Sequence, residues 1–297
     1  MEEPAVRILS PAALRSRPLP SPGGDKEARG RVCVIGGSVQ VPGAALLAGE
    51  ASLRAGAGKL QIATVRSAAV GMGLAVPEAL VLGLNEDAHG EMRGSSAVLD
   101  AALKECGALV IGPGMKATRF LSRLVQRAAD AQGTVVLDAG ALDANARARE
   151  GAPFVLTPHA GEMANMCGVE REAVEDAPLE HALGMARATR SVVILKGPDT
   201  WIVAPDGEGW LHQGGASGLG TSGSGDVLAG VIGGFAARGA SALDAALWGV
   251  WVHAEAGRVL GERVGSVGFL AREIAGTVPV ILQRMASGDI SIEIRKP

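Results

Sequence analysis

The sequence predicts an α/β fold, a mostly parallel central sheet with helices on both faces. Three observations carry that expectation. Short, uninterrupted apolar runs such as Val32–Ile35 and Thr134–Leu137 recur along the chain, each closed by Gly, Asp or a polar cluster. Helix-period stretches follow most of them, the alternation that buries parallel strands between two helical layers. Many of the 43 glycines cluster at the ends of the apolar runs, where βα turns need backbone freedom. At 297 residues and 47% hydrophobic, the chain can build a sizeable core, and with 3% aromatics and no tyrosine that core is aliphatic.

In chain order, Pro11–Arg31 reads as an irregular lead-in, broken by Pro18, Pro20, Gly23 and Gly24. Val32–Ile35 is a strand that enters Gly36-Gly37-Ser38, Gly43–Ala57 a helix, and Lys59–Val65 the next strand. Leu109–Ile111 runs into Gly112-Pro113-Gly114, and Arg119–Ala131 is helical. Thr134–Leu137 is closed by Asp138, and Phe154–Leu156 leads to Thr157-Pro158-His159 and helices up to about Arg190. Ser191–Leu195 ends at Lys196-Gly197, and Asp226–Arg238 and Leu243–Arg258 are helices. One composition regime runs throughout, so residues 26–297 are expected to form one domain behind a lead-in of residues 1–25. In such a sheet the ligand lies beyond the carboxyl ends of the strands.

A net charge of −3, with both signs mixed along the chain, gives no attraction for nucleic acid or an anionic membrane. Glu2, Glu3 and Arg7 interrupt any signal peptide, no apolar run has membrane-spanning length, and a cytoplasmic location is expected. Cys33, Cys106 and Cys167 lack metal-ligand spacing, and no HExxH, CxxC or carboxylate cluster points to a structural metal.

The most informative stretch is Gly214–Ile232, GGASGLGTSGSGDVLAGVI, in which glycines and hydroxyls run straight into an apolar helix. Free N–H groups converging there, from Gly223, Ser224 and Gly225, make an anion hole for phosphate or for charge developing in phosphoryl transfer. Asp226 follows directly, as a base toward a hydroxyl nucleophile or merely as a helix-capping residue. The pattern is neither a Walker A loop nor a dinucleotide fingerprint, because no Gly-Lys-Ser/Thr follows and it lies late in the chain. His159 in TPHAGE can bond an amide or phosphate, or sit on the surface, and Glu162 can cap the helix beginning nearby. Lys196 in KGPDT faces a nucleotide phosphate or only solvent. Asp138 binds metal-held water or caps a turn. His89, His181, His212 and His253 show no pairing and are taken as structural.

Several ordered motifs, VPGAALLAGEASLRAGAGKLQIAT, IGPG, VVLDAGALDA, LTPHAGE, VILKGPDT and TSGSGDVLAGVIGG, make the chain resemble the ADP- or ATP-dependent NAD(P)H-hydrate dehydratases of the ribokinase-like fold, from about Lys26 to Pro279. The resemblance implies repair of NADH or NADPH that has been hydrated at C6 of the nicotinamide. The hydroxyl is phosphorylated, phosphate leaves, and the reduced coenzyme returns. By motif position, Ala44, Gly114, His159 and Asp226 would line the hydrated substrate. Lys196, Gly197, Pro198, Asp199, Thr200 and Gly225 would flank the nucleotide, and Asp226 would be the base. ADP is the expected donor, with ATP possible, and Mg²⁺ is expected among the phosphates at ligands the sequence does not locate. A homo-oligomer is expected, as is a separate epimerase, because the epimerase domain fused in many relatives is not in this sequence. A small-molecule kinase and a non-catalytic nucleotide-binding protein are the alternatives. Departures from the family pattern are Ala216 where Asn is usual, Ser222 where Gly is usual, Ser224 for Thr, and Asp25-Lys26 for His-Lys.

Overall fold

The computed structural model describes residues 6–21, 23–143, 146–148 and 153–287. The elements begin β1 (Val6–Ile8), α1 (Pro11–Arg15), β2 (Arg31–Ile35), α2 (Gly43–Arg54), β3 (Lys59–Val65), α3 (Arg66–Ala75), β4 (Ala79–Glu86) and β5 (Met92–Arg93). There follow α4 (Ala97–Glu105), β6 (Ala108–Ile111), α5 (Arg119–Ala128), β7 (Thr134–Leu137), β8 (Val155–Leu156), α6 (Ala160–Cys167), α7 (Arg171–Asp176) and α8 (Pro178–Thr189). The chain continues with β9 (Val192–Leu195), β10 (Thr200–Val203), β11 (Gly209–His212), α9 (Ser224–Ala237), α10 (Ala242–Arg263) and α11 (Ala271–Ser287).

The strands form one sheet in the order β1-β11-β10-β9-β8-β7-β6-β2-β3-β4-β5. The seven from β9 to β4 are all parallel, while β10 and β5 run against their neighbours. Alternate residues of one strand serve opposite layers. Val32 and Val34 of β2 join the core under α2, α9, α10 and α11, whereas Cys33 and Ile35 join the core under α4, α5, α6 and α8. Burial on both faces is why these strands read as unbroken apolar runs rather than as alternation.

The chain order reverses at β2, which has β3 on one side and β6 on the other. Helices α2 and α9 lie side by side there. Leu47 approaches Gly223, Ala48 approaches Gly230, and Ser52 and Ala55 approach Gly234, so the two helices run in the same direction with their N-termini together.

The irregular lead-in expected over Pro11–Arg31 instead begins with a helix. Ser10 caps α1 by accepting from the Ala13 amide, Pro11 occupies the first turn, and Leu14 is fully buried. β1 also pairs with β11 in register, Val6 to Gly209. The helix expected from Asp226 starts two residues earlier, at Ser224. The free thiols Cys33 and Cys106 are buried. Among the described residues, no helix is long and apolar enough to cross a membrane.

Candidate active site

Three neighbouring parallel strands deliver the charged residues. β7 ends at Asp138, β8 leads to His159, and β9 leads to Lys196, which forms a parallel bridge with His159. Asp138 is buried, and its side chain does not cap the turn that follows. Its Oδ1 instead accepts from Thr157 Oγ1 at 2.6 Å and from Lys196 Nζ at 3.2 Å. Glu162 Oε2 lies 3.8 Å from the same ammonium. Burial works against the Lys196 charge, but the fields of Asp138 and Glu162 outweigh it and hold the pKa above the ordinary lysine value. The cation is therefore fixed on the wall of the site.

Opposite stands the N-terminus of α9. Gly223 is its N-cap with φ 89°, a conformation that favours glycine, and a Cβ there would press on Leu47 Cδ1 at 2.6 Å. Ser222, where the family pattern has glycine, has no positive φ, so serine fits without strain. The Ser224 amide donates to the Thr221 carbonyl at 3.2 Å. Within the first turn this leaves the amides of Gly225 and Asp226 without a backbone partner among the described residues. The Ser224 N–H, expected from the sequence to join the anion hole, is thus already bonded, and its hydroxyl lies 3.0 Å from His253 Nε2. Gly225 keeps the floor low, since a Cβ there would lie 3.4 Å from Lys196 Nζ and 3.9 Å from Asp138 Oδ2.

Asp226, in that first turn, is the most perturbed carboxylate. Burial first, and the negative Asp138 second, push its pKa up to about 7 against the opposing pull of Lys196. A carboxyl half-ionised near neutrality beside free amides and a fixed cation is suited to taking a proton from a hydroxyl while a phosphate is held.

Asp138, His159, Lys196 and Asp226 line one cavity of about 670 Å³. Gly197, Pro198, Thr200, Gly223, Ser224 and Gly225 lie on its walls as well. Asp199 does not. It faces an adjoining cavity of about 740 Å³ beside Trp201, and its Oδ1 accepts from the Gly214 amide at 3.1 Å. Ala44 and Gly114 also stand outside the first cavity, and the structure brings them together at the reversal point of the sheet. Gly114 has φ 67°, and a Cβ on it would come within 2.7 Å of Ala44 Cβ. His159 lies on the rim with an exposed ring. It caps α6 reciprocally with Glu162, Nδ1 accepting from the Glu162 amide at 3.1 Å and Glu162 Oε2 accepting from the His159 amide at 2.8 Å.

Ala216, which the sequence marks as a departure from the family pattern, lines this cavity just before a 3-10 turn. The motifs do not reveal three further residues, Val250 and His253 of α10 and His212 at the end of β11. None has a local signature, because each is brought in by tertiary folding from an otherwise ordinary segment.

Among the described residues, no three His, Cys, Asp or Glu side chains converge on a metal cage. The donor set fits a hard cation that keeps its waters and shares phosphate ligands, because Asp138 Oδ2 accepts no hydrogen bond from any described residue and Glu162 stands close by.

Comparison with known proteins gives a consistent result. A family model described as NAD(P)H-hydrate dehydratase matches residues 32–280. The chain is 61% identical to the ADP-dependent (S)-NAD(P)H-hydrate dehydratase of Xanthomonas campestris, over 97% of this chain and 100% of that protein. It is 35% identical to the bifunctional NAD(P)H-hydrate repair enzyme of Moorella thermoacetica, over 94% of this chain but only 54% of that longer protein. The ADP/ATP-dependent NAD(P)H-hydrate dehydratase of Bacillus subtilis, co-crystallised with ATP and Mg²⁺, superposes with a TM-score of 0.83 at 29% identity, covering 94% of this chain and 99% of that one.

Proposed function

The chain belongs to the NAD(P)H-hydrate dehydratase family, and from that premise we propose how its own residues carry out the reaction. It is an ADP-dependent enzyme that dehydrates (S)-hydrated NADH or NADPH and restores the reduced coenzyme, with AMP and phosphate as the other products. The observation that carries the assignment of roles is Asp226, a carboxyl poised near pH 7 in the first turn of α9, facing the Lys196 cation across the anion hole.

Asp226 takes the proton of the C6 hydroxyl as that oxygen attacks the terminal phosphorus of the donor, and the P–O bond to AMP breaks. The amides of Gly225 and Asp226, the Ser224 hydroxyl and Lys196 hold the charge that gathers on the transferring phosphoryl. Hydroxide is a poor leaving group, whereas phosphate is a good one. The ring-nitrogen lone pair then expels phosphate, and loss of a proton from C5 completes the dihydropyridine. Mg²⁺, when bound, neutralises phosphate oxygens, and Asp138 and Glu162 are the carboxylates that would hold it, directly or through water. Lys196, Gly197, Pro198 and Thr200 form the nucleotide side of the cavity, with Asp199 bracing the loop. His159 on the rim of the cavity, with Ala44 and Gly114 packed against each other just outside it, would bound the nicotinamide.

Within the same proposal, the enzyme works in the cytoplasm as a homo-oligomer and receives the R epimer only after a separate epimerase has inverted it. The exposed Val70 and Leu74, one turn apart on α3, support association because they present apolar surface to water. Light scattering should then show more than one subunit, and a monomer at micromolar concentration would contradict it. Rates with ADP and with ATP on one hydrate preparation test the donor assignment. ADP should be the faster, and a clear preference for ATP would overturn it.

A further inference from the structure

His253 is buried on α10, and its Nε2 lies 3.0 Å from two atoms of one residue, the hydroxyl and the carbonyl oxygen of Ser224. A carbonyl oxygen can only accept, so the ring nitrogen facing it carries the proton. That single N–H is then shared with Ser224 Oγ, which is left as an acceptor on this side. The hydroxyl hydrogen of Ser224 must point elsewhere. Ser224 and His253 both line the cavity that holds Asp226 and Lys196, and the Ser224 amide is already taken up by Thr221.

We propose that His253 is a positioning residue, whose Nε2–H fixes Ser224 so that its hydroxyl donates into the anion hole toward the transferring phosphoryl. This rests on the phosphoryl-transfer role proposed above for the cavity. Burial lowers the His253 pKa to about 4, so the ring is neutral at physiological pH, and the Ser224 carbonyl selects its Nε2–H tautomer. A rotating serine hydroxyl at a helix N-terminus would spend part of its time accepting or pointing away. One held by a buried donor is pre-oriented before the donor nucleotide arrives.

Two measurements on the folded enzyme test this. The first is ¹⁵N NMR of labelled histidine in the wild-type protein, free and with ADP and Mg²⁺. His253 should show the Nε2–H tautomer at neutral pH, and an Nδ1–H tautomer in the complex would overturn the proposal. The second is a double-mutant cycle on the ADP-dependent reaction. Ser224→Ala should lower kcat about tenfold or more, the scale of one hydrogen bond to a charged group, with little change in KM for ADP. His253→Ala should lose about as much, and the double variant no more than either. His253→Gln, which keeps a donor for the Ser224 carbonyl, should recover most of the loss. Additive losses, or a folded His253→Ala enzyme with unchanged kcat, would show that His253 is only a packing residue. The tautomer is read without turnover, so a wild-type protein that failed to dehydrate the coenzyme would overturn the proposed function and leave this geometry to be judged on its own.

Discussion

At the scale of single residues, Asp226 carries the strongest expectations. Asp226→Asn keeps the size and most of the hydrogen bonding of the side chain but cannot accept a proton. Turnover should fall by roughly 10²-fold or more, with ADP affinity little changed by titration calorimetry. In the wild-type enzyme the base must be ionised, so kcat/KM should rise with pH up to about 7 and then level off, the limb set by burial and Asp138. Stability has the opposite sign. A carboxyl whose folded pKa is raised stabilises the protein fully below its unfolded pKa and loses that contribution as pH rises through about 7. Asn escapes the loss, so the variant should be the more stable protein at pH 8, by roughly 2–4 kcal/mol in denaturant melts, and nearly equal to wild type at pH 4. A variant less stable at both pH values would contradict the electrostatic account. Asp226, Lys196 and His159 were legible from sequence because each follows a strand end or a glycine run. His253 was not, since nothing local distinguishes a histidine on α10 that meets Ser224 from one that merely fills space.

At the scale of elements, the site depends on how closely α9 approaches α2. A Cβ at Gly230 would meet the Ala48 carbonyl oxygen at 2.2 Å, and both helices would have to part to admit it. Gly230→Ala should therefore cost about 3 kcal/mol or more, read as a lowered denaturant midpoint, despite alanine's better helix propensity. A variant as stable as wild type would mean that the two helices separate freely. The central strands β2, β3, β6, β7 and β9 were legible to within a residue or so, because burial on both faces removes polar interruptions. β4 was not, since it lies near the sheet edge, is half-exposed along most of its length and contains Gly83. The β10–β11 hairpin had a usable signal in Pro205-Asp206-Gly207 between two short apolar stretches. The motif KGPDT drew attention to its other end and hid the turn.

At the scale of the whole molecule, two features combine. The reversal of strand order at β2 places Ala44 and Gly114 beyond the strand ends, and the N-terminus of α9 is brought to the same end of the sheet. The first residues strap the far edge, which no motif announced because their contacts are more than 190 positions away. Arg17 bonds Glu208 and Asp244, each at 2.7 Å, and its carbonyl accepts from Trp248 Nε1 at 2.7 Å. Arg17→Ala should cost about 1–2 kcal/mol, a few degrees in Tm by calorimetry, because these partly exposed ion pairs act together. Unchanged melting would show that the strap contributes nothing. The reaction itself is tested most directly by mixing the protein with hydrated NADH, ADP and Mg²⁺ while following the absorbance of the reduced nicotinamide and the phosphorus NMR spectrum together. The predicted result is reduced coenzyme, AMP and inorganic phosphate appearing in equal amounts, with no lasting phosphorylated coenzyme. A phosphorylated hydrate that accumulates without return of the reduced ring would make the protein a kinase, and nucleotide binding with no turnover would make it no enzyme of this kind at all.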